Sequence, residues 1–331
     1  MVSTGVNGFG RFGLHLLKYW LDNAENANFS IDYINDDFLS PSSAHAIIIN
    51  DRFVRISEEY RVVLASDTIS FINKAGIKKS ILFSNTEKEQ IPWLGKPDYF
   101  LECSGKYNSA KLNREYISGA TKKIIISATV ADADQTLIVG YNHEEYSPKS
   151  QIFSYGSCII NAFIPLTNWL NNKYKINNCD TAVIHNTPEH KLLEPENHTL
   201  NRSSCSLEWM GLKLMDCLSS DNFTVTKTYI PYPGISMIDM RYNLAKKPTN
   251  IKALKRELAR AFNSGPLKTL YTFDKTSQSA ESHLNSTYSA VLRRDGMRIV
   301  GDNIYISCYF DNENSVNRYF DLINFMANHS G

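Results

Sequence analysis

The chain has 331 residues and a formal net charge of +1, with 21% charged and 43% hydrophobic residues. That balance excludes a disordered chain, and with no basic stripe it offers no case for nucleic-acid binding; the length accommodates two domains. The opening MVSTGVNGFG has no charged segment ahead of an apolar one, and runs such as Ala46 to Ile49 are far too short to cross a bilayer, so neither a secretory signal nor a membrane partner is expected.

Val2 to Val6 reads as a strand that enters a glycine turn. Arg11 to Leu21 follows at helical period, with Phe12, Leu16 and Trp20 on its apolar stripe. Phe29 to Ile34 is a second strand, ending in Asn35-Asp36-Asp37. Tyr99 to Cys103 and Ile124 to Ser127 are two more, and Ser109 to Ser118 between them reads as a helix closed by Gly119. This alternation predicts a mostly parallel sheet with crossover helices. Ser157 opens a helix running through Leu170.

Beyond it the pattern changes. Thr181 to Ile184, Thr224 to Tyr229, Ser236 to Tyr242, Tyr288 to Arg293 and Asn303 to Phe310 alternate, which suits an antiparallel sheet with one covered face. Asn250 can cap a helix to Asn263 that carries Ile251, Leu254, Leu258 and Phe262 on one stripe, and Gly265-Pro266 stops it. A final helix covers about Glu313 to Met326. The expected class is α/β, with a Rossmann-type domain over 1–157 plus the C-terminal helix 312–331. The expected second domain, over 158–311, is α+β with a mostly antiparallel sheet.

Asn7-Gly8-Phe9-Gly10-Arg11-Phe12-Gly13 places glycines at the first, third and sixth positions of the G-x-G-x-x-G pattern. Gly8 permits the sharp strand-to-helix turn, Gly10 lets backbone approach a pyrophosphate, and Gly13 lets helix and strand pack closely. The following helix N-terminus offers N–H groups to the diphosphate. Asp36 ends the next strand, where a ribose-binding carboxylate belongs; its charge favours NAD over NADP by repelling a 2′-phosphate.

Several ordered segments carry a family resemblance. VNGFGRFG and INDDF are followed by IPW, LECSGKY from Leu101, KKIIISA from Lys122 and VGYNHEEY from Val139. Then come SYGSCIINAFIPL from Ser154, TAVIH ending at His185, SGPLK from Ser264 and YFDNENSVNRYFDLI from Tyr309. In content and order they resemble the glyceraldehyde-3-phosphate dehydrogenase family across nearly the whole chain. The resemblance implies that Asn7, Gly8, Gly10, Arg11 and Phe12 wrap the pyrophosphate of NAD and that Asp36 takes the adenosine ribose. It further implies that Ser104, Gly105 and Ser127 line the cofactor path and that Asn312 fixes the nicotinamide carboxamide.

By the same resemblance Cys158 is the nucleophile and His185 its base. A thiolate adds to an aldehyde to give a hemithioacetal, which loses hydride to NAD and becomes a thioester. A helix N-terminus at Cys158 lowers a thiol pKa, and His185 can deprotonate the thiol and then support the oxyanion together with the Cys158 amide. Read without the resemblance, Cys158 is more readily a small buried hydrophobe and His185 a satisfied core histidine. The six cysteines, at 103, 158, 179, 205, 217 and 308, lack paired spacing, which suits reduced thiols in a cytoplasmic protein. No metal site is expected.

The departures from the family fall on phosphate binding. The family's threonine after the nucleophile is Ile159, its threonine after the base aligns with Pro188 beside Thr187, and the arginine of FRVPT aligns with Tyr229. Leu207-Glu208-Trp209-Met210 runs almost directly into Gly211 and a new helix, where the family has a longer segment. Arginine binds phosphate bidentately, so its loss removes both charge and geometry. Ser157, Thr187 and Tyr229 remain as candidate substrate residues; Lys191, Arg202 and Lys227 are cations that can rebuild a grip, and Glu208 would oppose one.

The sequence therefore points to an NAD-dependent oxidoreductase acting on a small aldehyde other than, or bound differently from, glyceraldehyde 3-phosphate. Two other readings stand beside it: a phosphorylating enzyme with a rearranged phosphate grip, and a non-catalytic NAD-binding or partner-binding paralogue. The resemblance also implies a homo-oligomer, tetramer or dimer, assembled through Asn186 to Trp209.

Overall fold

The computed structural model describes residues 1–275 and 279–329, and they divide into two compact units. Met1–Leu137, His143–Gly156 and Val316–Gly331 form the first; Ile138–Asn142 and Ser157–Ser315 form the second. Residues 330 and 331, counted in the expected C-terminal helix, lie outside the described residues.

The first unit holds a nine-stranded sheet. Its strands are β1 (Val2–Asn7), β2 (Phe29–Asn35), β3 (Tyr60–Ala65), β4 (Thr68–Asn73) and β5 (Lys78–Ser84), followed by β6 (Tyr99–Glu102), β7 (Lys123–Ile126), β8 (Gln135–Thr136) and β9 (Ile152–Ser154). The order is β3-β4-β5-β2-β1-β6-β7-β9-β8. Pairing is parallel from β5 across to β8, and β3 and β4 add an antiparallel edge. Helix α1 (Arg11–Asn23) crosses from β1 to β2, while β6 lies on the opposite side of β1. That reversal at β1 opens a crevice at the carboxyl ends of the strands.

The apolar stripe of α1 is what ties it down. Leu14, Leu16, Leu17, Trp20 and Leu21 are buried, and Trp20 Nε1 donates to Phe29 O at 3.1 Å. Each such aliphatic or aromatic side chain contributes roughly 1.5–3 kcal/mol when removed from water. Helices α2 (Pro41–Asn50) and α3 (Ile56–Glu59) follow, the former capped by Ser40, whose hydroxyl accepts from Ser43 N.

The second unit opens with α4 (Cys158–Tyr174) and then builds an eight-stranded sheet. Its strands are β10 (Ile176–Asn186), β11 (Asn201–Ser203), β12 (Phe223–Ile230), β13 (Ser236–Leu244) and β14 (Tyr271–Phe273), then β15 (Ala290–Leu292), β16 (Arg298–Val300) and β17 (Asn303–Phe310). The order is β11-β12-β10-β13-β17-β15-β14, with β16 on β17. The sheet is mostly antiparallel as expected; the β10–β12 and β14–β15 pairs are parallel. Helices α5 (Ser206–Leu214) and α6 (Ile251–Asn263) complete the unit. Asn250 caps α6 by accepting from Ala253 N at 2.9 Å, and Leu254, Leu258 and Phe262 are buried as the stripe predicts. The last helix, α7 (Asn312–Asn328), starts in the second unit and continues in the first from Val316, burying Val316, Tyr319, Phe320 and Ile323.

Pro165 lies inside α4 and lacks the N–H that would bond the Asn161 carbonyl. Tyr271 Oη fills the gap, donating toward the carbonyls of Asn161 and Ala162 at 3.1 and 3.0 Å and accepting from Leu166 N at 3.1 Å. This satisfies the backbone around the proline in the helix whose first residue is Cys158.

Two sequence expectations fail. Ser109 to Ser118 is not an α-helix but a series of turns with a 3-10 turn at Arg114–Tyr116. The Asp132 carboxylate takes Ser109 Oγ and the amides of Ala110 and Lys111, and Asn113 Nδ2 bonds the carbonyls of Tyr107 and Ser109. Side chains thus replace the i to i+4 ladder there. Leu207 to Met210 does not run into a new helix at Gly211; these residues are already inside α5.

Candidate functional site

The crevice of the first unit is built from the glycine turn. Gly8 has φ +100° and a side chain there would meet the Ser104 backbone at 2.4 Å, so β1 can approach the start of the β6 loop only through glycine. A side chain at Gly13 would meet Gly8 O at 2.3 Å. Gly10 differs: nothing lies within 4 Å of the added carbon, and this residue, at the cap of α1, offers no side chain to its first-turn amides. Open space above uncapped amides is the arrangement that accommodates a diphosphate.

The other expected crevice residues separate into two groups. Asp36 is buried, with Oδ2 accepting from Phe9 N at 2.7 Å and Oδ1 from Phe38 and Leu39 N at 2.9 Å each. Those bonds fix the carboxylate at the end of β2. Gly105 has φ +73° with open space around it, Ser104 bonds Glu102 Oε1 through its amide and hydroxyl, and Ser127, half-buried, donates its amide to Glu102 O.

Asn7, Arg11 and Phe12, expected to wrap a pyrophosphate, point their side chains elsewhere. Asn7 is buried between Glu102 and Asn35, at 3.0 Å from each. The Arg11 guanidinium pairs with Asp51 and lies 2.8 Å from His15 Nε2. The Phe12 ring packs edge-on against Tyr155 and Tyr319.

Sequence reading missed the group behind the turn. Lys88, fully buried, pairs with Glu102 Oε2 at 2.8 Å and Asn113 Oδ1 at 2.7 Å, under the rings of Tyr107 and Tyr116. A glutamate inside the apolar strand FLE was a signal, since a buried carboxylate needs a partner. Nothing in the polar run TEKEQ marked Lys88 as that partner.

In the second unit Cys158 is the first residue of α4 and His185 lies near the end of β10; both are buried. Cys158 Sγ is 3.9 Å from His185 Nε2. His185 Nδ1 lies 2.9 Å from Asn186 O, a carbonyl that only accepts, so Nδ1 carries the ring proton and the Nε2 lone pair faces the thiol. Tyr229 and Phe310 enclose the imidazole, with ring centroids at 5.1 and 5.8 Å.

The acidity of Cys158 is the opposite of the helix-terminus expectation. Burial pushes its thiol up to about 12 and the Asp311 carboxyl adds to that, while the Lys227 charge and the Ile159 amide pull it down. Burial lowers His185 to about 4, opposed by its bond to Asn186 and assisted by Lys227. Burial likewise holds the Asp311 carboxyl well above its usual range, with the neighbouring Glu313 adding to the shift. The resting pair is thus neutral thiol and neutral imidazole.

The expected substrate residues are unequal. Ser157 Oγ is buried without a hydrogen-bond partner among the described residues and does not cap α4. Thr187 Oγ1 donates to Ile230 O at 2.8 Å and is already engaged. Tyr229 Oη accepts from Lys227 Nζ at 2.8 Å. Ile159 is core, Lys191 and Arg202 are exposed, and Glu208 Oε2 reaches the Cys205 amide as part of the α5 cap. Asn312 is exposed at the start of α7.

Fold and site together define a two-unit α/β protein, one unit bearing a Rossmann-type crevice and the other a cysteine–histidine pair. No family model matches the chain. Curated relatives match along nearly all of it. It is 26% identical over 342 aligned positions to the glyceraldehyde-3-phosphate dehydrogenase of Ogataea parapolymorpha, covering 98% of each chain. It is 24% identical over 328 positions to glyceraldehyde-3-phosphate dehydrogenase 2 of Trichormus variabilis, covering 95% of this chain and 94% of the relative. The Bacillus cereus glyceraldehyde-3-phosphate dehydrogenase 1 is 24% identical over 351 positions, with 99% of each covered. The chain is a divergent relative of the glyceraldehyde-3-phosphate dehydrogenases.

Proposed function

We propose that the protein is an NAD-dependent oxidoreductase that oxidises a small aldehyde through Cys158, with His185 as the base. The carrying observation is the Cys158–His185 pair: Sγ and Nε2 at 3.9 Å, with the tautomer of His185 set by Asn186 O. As Sγ adds to the aldehyde carbon, Nε2 takes the thiol proton, and the resulting imidazolium donates to the new oxyanion. The Cys158 amide, at the first position of α4, is a second donor to that oxygen. When bound, the nicotinamide supplies the two-electron acceptor for oxidising the hemithioacetal to a thioester, which phosphate or water then releases.

Dinucleotide binding is assigned to the glycine turn with Asp36, Ser104, Gly105 and Ser127, and carboxamide binding to Asn312. The open space at Gly10 and the uncapped start of α1 support the first assignment. All six cysteines are free thiols, which supports a cytoplasmic setting, and no helix among the described residues is long and apolar enough to cross a membrane. The homo-oligomer implied by the resemblance belongs to the same proposal, and sedimentation of the purified protein tests it.

The test is rapid mixing of protein, NAD and glyceraldehyde 3-phosphate or an unphosphorylated aldehyde, with and without inorganic phosphate. The expected result is a burst near one NADH per subunit with at least one aldehyde, abolished in Cys158→Ser while NAD binding survives. Substantial turnover in that variant overturns the mechanism. Dependence of the steady rate on phosphate separates phosphorolysis from hydrolysis.

A further inference from the structure

In β12, with the sequence FTVTKTY, Phe223 and Val225 are buried and Thr224 and Thr226 exposed; Lys227 and Tyr229 fall on the side of Phe223 and Val225 by strand period and are half-buried. The inward face packs against α4, where the Phe223 and Phe163 rings lie 5.5 Å apart, and it ends beside β10, where Tyr229 is opposite His185. A lysine in an inward register is costly unless something answers its charge. Among the described residues no carboxylate pairs with Lys227. Its ammonium donates to Tyr229 Oη at 2.8 Å and lies 4.5 Å from that ring.

Resting on the aldehyde reading above, we infer that Lys227 and Tyr229 form an anion subsite beside Cys158 that holds the carboxylate of a small aldehyde substrate. The ammonium has two N–H groups left after bonding Tyr229, and Tyr229, which accepts there, has its own O–H to give. Three donors and one unpaired positive charge match a carboxylate, with one charge and two oxygens. A phosphate dianion has three oxygens and about twice the charge, and the bidentate arginine that suits it is absent.

The surroundings agree. The groups acting on Cys158 are Lys227 from β12, Asp311 after β17 and Cys205 before α5, with His185 in contact from β10. Burial raises the Asp311 carboxyl and the Cys205 thiol, which favours their neutral forms, so Lys227 is the cation an incoming anion meets, with Glu313 beside Asp311 and Glu208 on α5 as the opposing carboxylates. The orphaned Ser157 Oγ, next to Cys158 in the chain, is one further donor.

Two measurements test the subsite. The first compares alkylation of Cys158 by iodoacetate and by iodoacetamide, equal in reach and different in charge. Lys227→Gln is expected to lower the iodoacetate-to-iodoacetamide rate ratio about fivefold to tenfold, and Lys227→Arg to preserve it. Tyr229→Phe removes only the hydroxyl and is expected to lower the ratio less.

The second compares kcat/KM for 4-oxobutanoate, butanal and glyceraldehyde 3-phosphate. The carboxylate is expected to lead butanal in the wild type, and the ratio of the two kcat/KM values is expected to fall toward one in Lys227→Gln, since any effect of Lys227 on Cys158 itself acts on both substrates alike. An alkylation ratio indifferent to Lys227→Gln overturns the subsite. A Lys227-dependent preference for glyceraldehyde 3-phosphate over 4-oxobutanoate overturns the carboxylate assignment. If no aldehyde is oxidised while the alkylation ratio still falls in Lys227→Gln, the aldehyde reading fails and the anion subsite stands.

Discussion

Cys158 Sγ and His185 Nε2 face each other at 3.9 Å, and the same burial moves them in opposite directions, the thiol up to about 12 and the imidazole down to about 4. The proton therefore rests on sulfur at neutral pH, and a thiolate forms only as it is used. Labelling of Cys158 by iodoacetamide in the free protein is expected to climb about tenfold per pH unit from pH 7 to 10. A plateau below pH 8 would show instead a pair already ionised at rest.

The buried imidazole also ties stability to pH. His185 titrates at its ordinary value of 6.5 when unfolded and near 4 when folded, so between these values the unfolded chain binds more protons. Its contribution is full above pH 6.5 and is lost as pH falls toward 4, by up to about 3 kcal/mol. His185→Gln should flatten that part of the stability profile. Denaturant unfolding at pH 7 and pH 4.5 measures it; the same drop in both proteins would place the effect on other groups.

The three glycines of the turn are expected to fail differently. Gly8→Ala and Gly13→Ala meet backbone at 2.4 and 2.3 Å, and Gly8 adds a positive φ, so each should cost about 1–3 kcal/mol or more. Gly10→Ala meets nothing and should keep stability within about 0.5 kcal/mol while weakening NAD binding. Melting curves and NAD titration separate the two outcomes. A Gly10→Ala protein with undiminished NAD affinity would remove that residue from the binding surface.

Lys88 and Glu102 are paired where neither meets water. Lys88→Met leaves the carboxylate without its countercharge and should cost about 3–5 kcal/mol; adding Glu102→Gln should recover part of that loss. Urea unfolding of the single and double variants gives the coupling. Simple additivity would mean that the two groups do not answer one another.

How much of this was legible in the sequence depends on where each bond partner lies along the chain. Helix α6 was readable to its cap, because Asn250, the apolar stripe and the Gly265-Pro266 stop are all local. The glycine turn was readable for the same reason. The side-chain partners of Asn7 were not legible locally, because Asn35 and Glu102 come from two other strands. The helix expected at Ser109 was displaced by Asp132, more than twenty residues away. The Cys158 acidity followed the local helix start in the sequence reading, whereas burial, a property of the whole unit, sets its direction. Lys227 was visible only as one of three cations, although the alternation of β12 already turned it inward.

The proline of α4 makes the last prediction. Pro165 leaves the Asn161 carbonyl without its helical N–H, and Tyr271 Oη supplies the missing donor. Tyr271→Phe keeps the ring and removes the hydroxyl with its bonds to the Asn161 and Ala162 carbonyls and the Leu166 amide, so buried backbone groups lose a partner at about 1–3 kcal/mol. Pro165→Ala restores an amide that can serve the Asn161 carbonyl and so takes over that part of the hydroxyl's role. Tyr271→Phe should therefore cost clearly less in the Pro165→Ala background than in the wild type. Chemical unfolding of the four proteins in the cycle measures the difference, and an equal cost in both backgrounds would show that Tyr271 contributes through packing alone.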